Sequence, residues 1–155
     1  MVRRIKNATE KRVFEWLDTM LKVDVIHQFY ATWCRNPTTN RILPFDIYIP
    51  AYNVAIEIDG PQHFNTIKRS WGSAKSIRER DVIKMQKCYE NGVTIIRVPQ
   101  ELAALKTGTT WKGELMSYLT FLKTFKYAET PIYITGGSNC YTRHHIEFIK
   151  KLTMI

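Results

Sequence analysis

Two short apolar runs in this sequence carry carboxylates near their centres, and this limits the folds that the chain can adopt. The runs are residues 43–49 (LPFDIYI) and 54–60 (VAIEIDG), and the acids are Asp46, Glu57 and Asp59. Their β-branched and aromatic composition predicts two strands. Because burying a lone carboxylate is costly, these acids need a cation or hydrogen-bond donors. The fold must therefore bring compensating groups to the middle of a sheet.

The order of the predicted elements indicates an α/β fold. The elements are a helix at 7–22, strands at 25–32, 42–49 and 54–59, a helix at 74–91, a strand at 93–98, a helix at 111–126, a strand at 131–135 and a helix at 141–152. The first three strands predict an antiparallel meander, and the helix before the fourth strand predicts a parallel crossover. We expect a mixed central sheet flanked by helices, with a C-terminal α/β extension.

Length and composition favour one intracellular domain. The chain has 155 residues and is 45% hydrophobic, which is enough for one core, so we expect a single domain with a catalytic core at 1–100 and an extension at 101–155. The three cysteines have neither disulfide nor zinc spacing. No apolar run is long enough to span a membrane, and the N-terminus lacks the pattern of a signal peptide. We expect a cytoplasmic protein that is neither secreted nor membrane-bound.

The charge of the chain points to a polyanionic partner. The 23 Lys and Arg exceed the 14 Asp and Glu, and the formal net charge is +9. Such a field attracts nucleic acid, because phosphate binding releases counterions. The alternative is a basic protein without a polyanionic partner.

The three acids predict a metal site. Glu57 and Asp59 are two residues apart and project from the same face of the predicted sheet, and Asp46 lies on the neighbouring strand. Carboxylates brought together repel, and Mg²⁺ relieves this repulsion because it prefers oxygen ligands; Mn²⁺ is the expected substitute. The alternative is that the acids form salt bridges with Lys and Arg or lie in water at strand ends.

His63 is the predicted proton-transfer residue. It follows Asp59 by four residues, and the turn at Gly60 and Pro61 folds it back towards the end of the strand. A neutral imidazole accepts a proton from an attacking water, and an imidazolium protonates a leaving oxygen. Both roles suit hydrolysis of a phosphodiester near neutral pH.

An ordered series of motifs resembles a known nuclease family. The series is Phe45-Asp46, then AIEIDGPQHF at 55–64, Arg80-Asp81 in a helix, and IIRV at 95–98. It is similar to the very-short-patch-repair endonuclease branch of the PD-(D/E)xK superfamily, over residues 10–98. The resemblance implies a restriction-endonuclease-like fold and Mg²⁺-dependent cleavage of DNA that leaves 5′-phosphate and 3′-hydroxyl ends.

The resemblance also assigns roles to individual residues. Asp46 resembles the family's metal-binding aspartate and Glu57 the acid that opens the (D/E)xK element, whereas Asp59 occupies the lysine position and could instead join the metal. Glu10 matches an acid that holds a water at the site, although it also forms a capping box with Asn7. In the helix, Arg80 is expected on a phosphate and Asp81 on His63 or the metal. A solvated helix face is the alternative for this pair.

The segment after His63 is predicted to contact nucleic acid. Gln62 is expected at the site rim, and cations and an aromatic ring follow it. A basic surface with interleaved rings binds phosphates and stacks on bases, whereas ordinary solubility is the alternative. At the other end of the chain, Arg143, His144 and His145 predict a DNA-facing or solvated helix end rather than a metal site. The predicted nucleic-acid contacts are Gln62, Lys68, Arg69, Trp71, Lys75, Arg78, Arg80 and Lys84.

These features predict a metal-dependent DNA endonuclease that acts on double-stranded, branched or mismatched DNA as a monomer or homodimer. Mismatch nicking in DNA repair, homing, restriction and junction resolution all fit the sequence. Two alternatives remain: a DNA-binding module that has the nuclease fold without catalysis, and a nuclease directed at RNA.

Overall fold

The structure is a computed structural model, which describes residues 8–64, 73–104, 110–126, 131–137 and 139–154. In these residues the chain forms one five-stranded mixed sheet with the order β1-β2-β3-β4-β5. The strands are β1 (Ile26–Phe29), β2 (Phe45–Ile49), β3 (Val54–Asp59), β4 (Thr94–Pro99) and β5 (Ile132–Tyr133). The first three pair antiparallel, and β3, β4 and β5 pair parallel. The predicted meander and crossover are confirmed.

Helices connect and flank the strands. They are α1 (Ala8–Met20), α2 (Ala74–Glu90), α3 (Gln100–Ala103), α4 (Thr110–Thr124), α5 (Ile134–Gly137) and α6 (Thr142–Thr153). The hydroxyl of Ser73 caps the start of α2 by accepting from the backbone N–H of Ser76 at 3.1 Å. Beyond its end, Gly92 has φ +69°, which glycine adopts at little cost. Within the described residues, none of the helices combines the length and the hydropathy needed to cross a lipid bilayer.

The two faces of the sheet are covered by different helices. Val13 and Leu17 of α1 and Leu115 of α4 belong to one buried apolar cluster, which includes Ile56 and Ile96 from the central strands. The second cluster lies on the opposite face and joins α2 and α6 to the alternate strand positions; its members include Ala55, Val82, Met85, Ile95 and Phe148. Both the sheet and its two cores therefore include residues from the predicted C-terminal extension.

Strand alternation decides where the polar residues lie. Glu57 and Asp59 share the face of Ala55, and Arg97 shares the face of Ile95, because side chains two positions apart project to the same side. This face is covered by α2 and α6. The acids that the sequence singled out are therefore enclosed between the sheet and these two helices.

Candidate active site

Asp46 and Glu57 lie opposite each other on neighbouring strands. The antiparallel pairs Ile47↔Ile56 and Tyr48↔Ala55 extend directly to this pair of acids. The side chain of Asp46 accepts a hydrogen bond from the backbone N–H of Ile58 at 2.8 Å, which fixes one of its carboxylate oxygens. The structure thus brings together two of the three acids that were predicted to hold the metal.

Lys84 of α2 reaches this acid pair. Its Nζ lies 3.0 Å from Oε1 of Glu57, and the two side chains are only 13% and 2% exposed. Burial pulls the pKa of Lys84 down, but the charges of Glu57, Asp46 and Asp81 outweigh burial and raise it. The lysine therefore stays charged beside the carboxylates. Its predicted place on an exposed basic helix face is wrong, because the side chain points inward to compensate a buried acid.

Asp46 is held in surroundings that disfavour its charged form. Burial raises its pKa well above the ordinary value, and the nearby carboxylates of Glu57 and Glu10 raise it further. Lys84 and the N–H of Ile58 oppose this rise without cancelling it. A divalent cation would relieve the repulsion, and carboxylate oxygens are the ligands that Mg²⁺ prefers. The donor set of this acid pair fits such a cation.

The negative charge of Asp59 is compensated by a different cation, the guanidinium of Arg97. Both of its carboxylate oxygens accept hydrogen bonds from Nη1 of Arg97 at 2.9 Å, and Oδ2 also accepts from the hydroxyl of Tyr141 at 2.8 Å. Both charged side chains of the pair are fully buried. A buried guanidinium therefore compensates the charge of Asp59, so this acid does not need a metal ion for that purpose.

His63 and Asp81 form the predicted contact. Nδ1 of His63 lies 2.7 Å from Oδ2 of Asp81 and 3.5 Å from Oδ1 of Asp59. Burial lowers the pKa of His63, but the charge of Asp59 and the hydrogen bond and charge of Asp81 outweigh it and raise the pKa. Burial raises the pKa of Asp81, and Arg97, His144 and His63 together lower it below its ordinary range. An ionised Asp81 therefore faces an imidazole that readily takes a proton.

His144 joins this network from α6. Its Nε2 lies 2.9 Å from the Asp81 oxygen that also contacts His63, and the residue is 1% exposed. The predicted solvated or DNA-facing position is wrong for His144, because α6 packs against α2 and turns this residue inward. Among the described residues, the buried Nδ1 of His144 has no hydrogen-bond partner. A tautomer with its proton on Nε2 fits, since an N–H at Nδ1 would be an unsatisfied buried donor.

A second group of possible metal-ligand atoms is compact, but its acids are already paired with cations and imidazoles of the protein. In the described part of the chain, one ligand atom each from Asp59, His63 and Asp81 lie within 4.8 Å of one another. However, Arg97 contacts both acids, and Oδ2 of Asp81 faces two imidazoles. A cation here would have to compete with the guanidinium, so this group is better suited to proton transfer than to metal binding.

Glu10 is oriented towards β1. Its Oε1 lies 3.1 Å from Nε2 of His27 and also accepts a hydrogen bond from the side-chain amide of Gln28. The predicted capping partner, Asn7, lies outside the described residues. Because Glu10 also raises the pKa of Asp46, the charge of Glu10 is felt at the acid pair.

One of the eight predicted nucleic-acid contacts, Lys84, lies at the acid pair, and the other seven fall into three groups. Lys75 and Arg80 are exposed on α2, and Gln62 is partly buried, with its side-chain oxygen close over Gly60. Arg78 is partly buried, and its Nε donates to Oε1 of Glu147 on α6 at 2.9 Å. The remaining three, Lys68, Arg69 and Trp71, lie outside the described residues.

Sequence reasoning gave no site role to Arg97, Tyr141 or His144. Arg97 carried a usable signal, because a charged residue in the apolar run 93–98 needs compensation as much as the acids do. Tyr141 and His144 carried no such signal, since their contacts depend on how α6 packs against α2.

Comparisons with known proteins give relatives without an assigned activity. No family model matches the chain, and no solved structure matches it. Uncharacterized protein 307L of Invertebrate iridescent virus 6 is 30% identical over 97 residues, which are 57% of this chain and 49% of that protein. Uncharacterized protein 033L of Invertebrate iridescent virus 3 is 35% identical over 68 residues, which are 42% of this chain and 35% of that protein.

A third relative is similar. Uncharacterized protein 094L of Frog virus 3 is 34% identical over 68 residues, which are 41% of this chain and 44% of that protein. The alignments thus span less than half of the length of each of these relatives.

Proposed function

We propose that this protein is a Mg²⁺-dependent DNA endonuclease with a restriction-endonuclease-like core. The observation that carries the proposal is the contact of Lys84 with Glu57, opposite Asp46. Two carboxylates and a lysine on one sheet face are the groups that the (D/E)xK resemblance calls for. Asp59 fills the lysine position in sequence, and Lys84 from α2 supplies a cation in its place.

Asp46 and Glu57 are the residues that would hold the metal, and Mn²⁺ is expected to replace Mg²⁺. When bound, the ion polarises the phosphate and makes a nearby water more acidic. We leave Asp59 out of the metal site, because both of its oxygens accept from Arg97. Asp59 contributes instead by keeping Arg97 and His63 in place.

Two side chains, those of His63 and Lys84, would assist the cleavage step. The oxygen of a water attacks phosphorus and that water releases a proton to the solvent, while the bond from phosphorus to the 3′-oxygen breaks and the 3′-oxygen takes up a proton. A protonated His63 can donate that proton, and Asp81 both orients the ring and stabilises its charged form. The ammonium of Lys84 is suited to stabilise the negative charge that develops on the phosphate.

Cleavage assays test the proposal. Supercoiled, branched and mismatched DNA and labelled RNA are incubated with the protein in EDTA, Mg²⁺ or Mn²⁺. We expect metal-dependent cleavage of DNA, a loss of about 10²–10³-fold in rate for Lys84→Met, and no detectable cleavage by Asp46→Asn or Glu57→Gln. Lys75→Met, an exposed lysine on the same helix, is the matched control for Lys84→Met.

Each other outcome favours a different function. DNA binding without cleavage under any metal condition would support a binding module that has lost catalysis. Cleavage of RNA in preference to DNA would support the RNA-directed alternative. Undiminished cutting by Asp46→Asn or Glu57→Gln would refute the assignment of the metal residues.

A further inference from the structure

The carboxylate of Asp81 lies between two histidines that reach it from different elements. Its Oδ2 is 2.7 Å from Nδ1 of His63, just after β3, and 2.9 Å from Nε2 of His144, on α6. Nη2 of Arg97 donates to the backbone oxygen of Asp81 at 3.1 Å and lies 3.7 Å from Oδ1. One carboxylate oxygen therefore contacts both imidazoles, and the proposed function has so far used only the first.

The position of His144 is set by the packing of α6 on α2. Arg78 of α2 contacts Glu147 of α6, and Asp81 contacts His144, so the two contacts are three residues apart on each helix. Residues three apart share one helix face, and the two polar contacts therefore join the helices along one seam. The ring of His144 also meets the ring of Tyr141 edge-on, with 5.6 Å between centroids and 75° between planes. These contacts hold the imidazole against Asp81.

His144 is suited to donate a hydrogen bond and not to relay a proton. The residue is 1% exposed, and in the described part of the chain its Nδ1 has no hydrogen-bond partner. A relay passes a proton through both ring nitrogens and so needs a partner on each of them. The ring therefore acts as a fixed Nε2–H donor to Oδ2 of Asp81.

Charged and titratable groups surround His63 and Asp81 from several elements. Asp59 and Asp81 hold the His63 ring in its charged form, and Arg97 opposes them. His144 acts on this balance directly, because its hydrogen bond ends on the oxygen that also contacts His63. The surrounding groups are Asp59 on β3, Arg97 on β4, Lys84 on α2, Tyr141 just before α6 and His144 on α6.

We propose that His144 is a positioning residue that fixes the Asp81 carboxylate towards His63 and takes up part of its negative charge, so that the protonated ring releases its Nε2 proton more readily. The inference rests on the proposed function, in which this proton passes to the 3′-oxygen. The N–H bond at Nε2 breaks, an O–H bond forms, and the neutral ring keeps the Nδ1 proton that it donates to Asp81. A ring held too strongly in its charged form is a poor general acid.

The test compares His144→Phe, which removes the donor and keeps a ring, with His144→Gln, which offers an amide N–H in place of Nε2. Glu147→Gln is the matched control, because it weakens the other polar contact between α6 and α2 without touching Asp81. Nuclear magnetic resonance follows the titration of His63, whose signal among the four histidines is the one absent from His63→Asn. Cleavage of supercoiled DNA from pH 6 to pH 9 in Mg²⁺ gives the pH–rate profile, and thermal unfolding shows whether each variant is folded.

We expect the titration of His63 in His144→Phe to move to higher pH, because the charge of Asp81 then acts on one imidazole only. Cleavage uses the protonated ring, so the alkaline limb of the pH–rate profile should move in the same direction. The rate on the plateau should fall by about 10–100-fold, as is usual when an outer partner of a site residue is lost. His144→Gln should restore the titration and the rate towards the wild type, and Glu147→Gln should leave the titration of His63 unchanged.

The outcomes separate this inference from the proposed function. An unchanged titration of His63 in His144→Phe would overturn the role of His144, and so would an equal shift in Glu147→Gln, because helix packing would then explain the effect. If His144→Phe does not fold, the nitrogen chemical shifts of the wild-type ring decide: a protonated Nε2 and a bare Nδ1 on His144 support the inference, and the reverse tautomer overturns it. A shifted titration in a protein that cleaves no DNA would support the control of His63 by His144 and refute the proposed function.

Discussion

Replacing Arg97 by Met should destabilise the protein strongly, because it leaves buried carboxylates without their cation. Arg97 is fully buried; its Nη1 contacts both oxygens of Asp59 at 2.9 Å, and its Nη2 lies 3.7 Å from Oδ1 of Asp81. Methionine fills much of the volume but compensates neither acid. Removing one partner of a buried ion pair costs about 3–5 kcal/mol.

That cost is a large part of the stability of a typical domain, which is about 5–15 kcal/mol. For a domain of this size it corresponds to a fall of roughly 6–20 °C in the midpoint of thermal unfolding. Urea denaturation followed by circular dichroism at pH 7 gives the free energy of unfolding directly. The control is Lys87→Met, which removes an exposed pair with Glu90 at 3.3 Å and should cost less than about 1 kcal/mol.

A double variant separates charge from packing. Adding Asp59→Asn to Arg97→Met removes one of the unpaired buried charges, so the double variant should be more stable than Arg97→Met alone. Lost packing alone would make the second change neutral or harmful. An Arg97→Met protein within about 1 kcal/mol of the wild type would refute the argument that Arg97 compensates buried acids.

Three further predictions follow from the network. The pKa of His63 is raised above its ordinary value of 6.5, so the protonated ring stabilises the fold fully below pH 6.5, and this stabilisation is lost as the pH rises through the pKa of the folded state. Urea denaturation should therefore find His63→Asn more destabilising at pH 6 than at pH 9. Tyr141→Phe removes the 2.8 Å hydrogen bond to the Asp59 carboxylate and should cost about 1.5–3 kcal/mol in the same assay. Gly60→Ala places a Cβ 2.5 Å from the side-chain oxygen of Gln62, and this side chain is flexible enough to move. Thermal unfolding should therefore show a loss of stability under about 1 kcal/mol, and nuclear magnetic resonance should show a shifted signal for the Gln62 side-chain amide.

Local signals in the sequence were sufficient to predict most of the fold. The strand Val54–Asp59 was predicted with its observed limits, because the turn at 50–53 and the Gly60-Pro61 pair bound an apolar run. The helix α2 was predicted to end one residue beyond its observed end, and Gly92 marked that position. The parallel pairing of β3 with β4 followed from the helix between them.

The partners of the acids could not be predicted in the same way. Strand alternation placed Glu57 and Asp59 on one face, but it did not distinguish which cation each would meet. Lys84 and Arg97 lie 27 and 38 positions away in sequence from the acids they contact. Only the packing of α2 on the sheet assigns Lys84 to Glu57 and leaves Arg97 for Asp59.

The two groups of buried acids differ in how far the protein compensates their charge, and this difference indicates where a cation would bind. Asp59 and Asp81 share Arg97 and the readily protonated His63, so their charge is largely compensated within the protein. Lys84 contacts Glu57 opposite Asp46, and the pKa of Asp46 is raised by burial and by the charges of Glu57 and Glu10. The uncompensated negative charge is therefore at Asp46 and Glu57.

This imbalance predicts that Asp46→Asn changes stability in opposite directions with and without metal. Asparagine keeps an acceptor for the N–H of Ile58 and removes the repulsion, so in EDTA the variant should be more stable than the wild type by about 0.5–2 kcal/mol. Saturating Mg²⁺ should stabilise the wild type through binding and leave Asp46→Asn nearly unchanged, so that the order reverses. Urea denaturation in the two buffers measures both effects. A variant less stable than the wild type in EDTA would contradict the argument, because it would mean that the charge of Asp46 is already compensated without a cation.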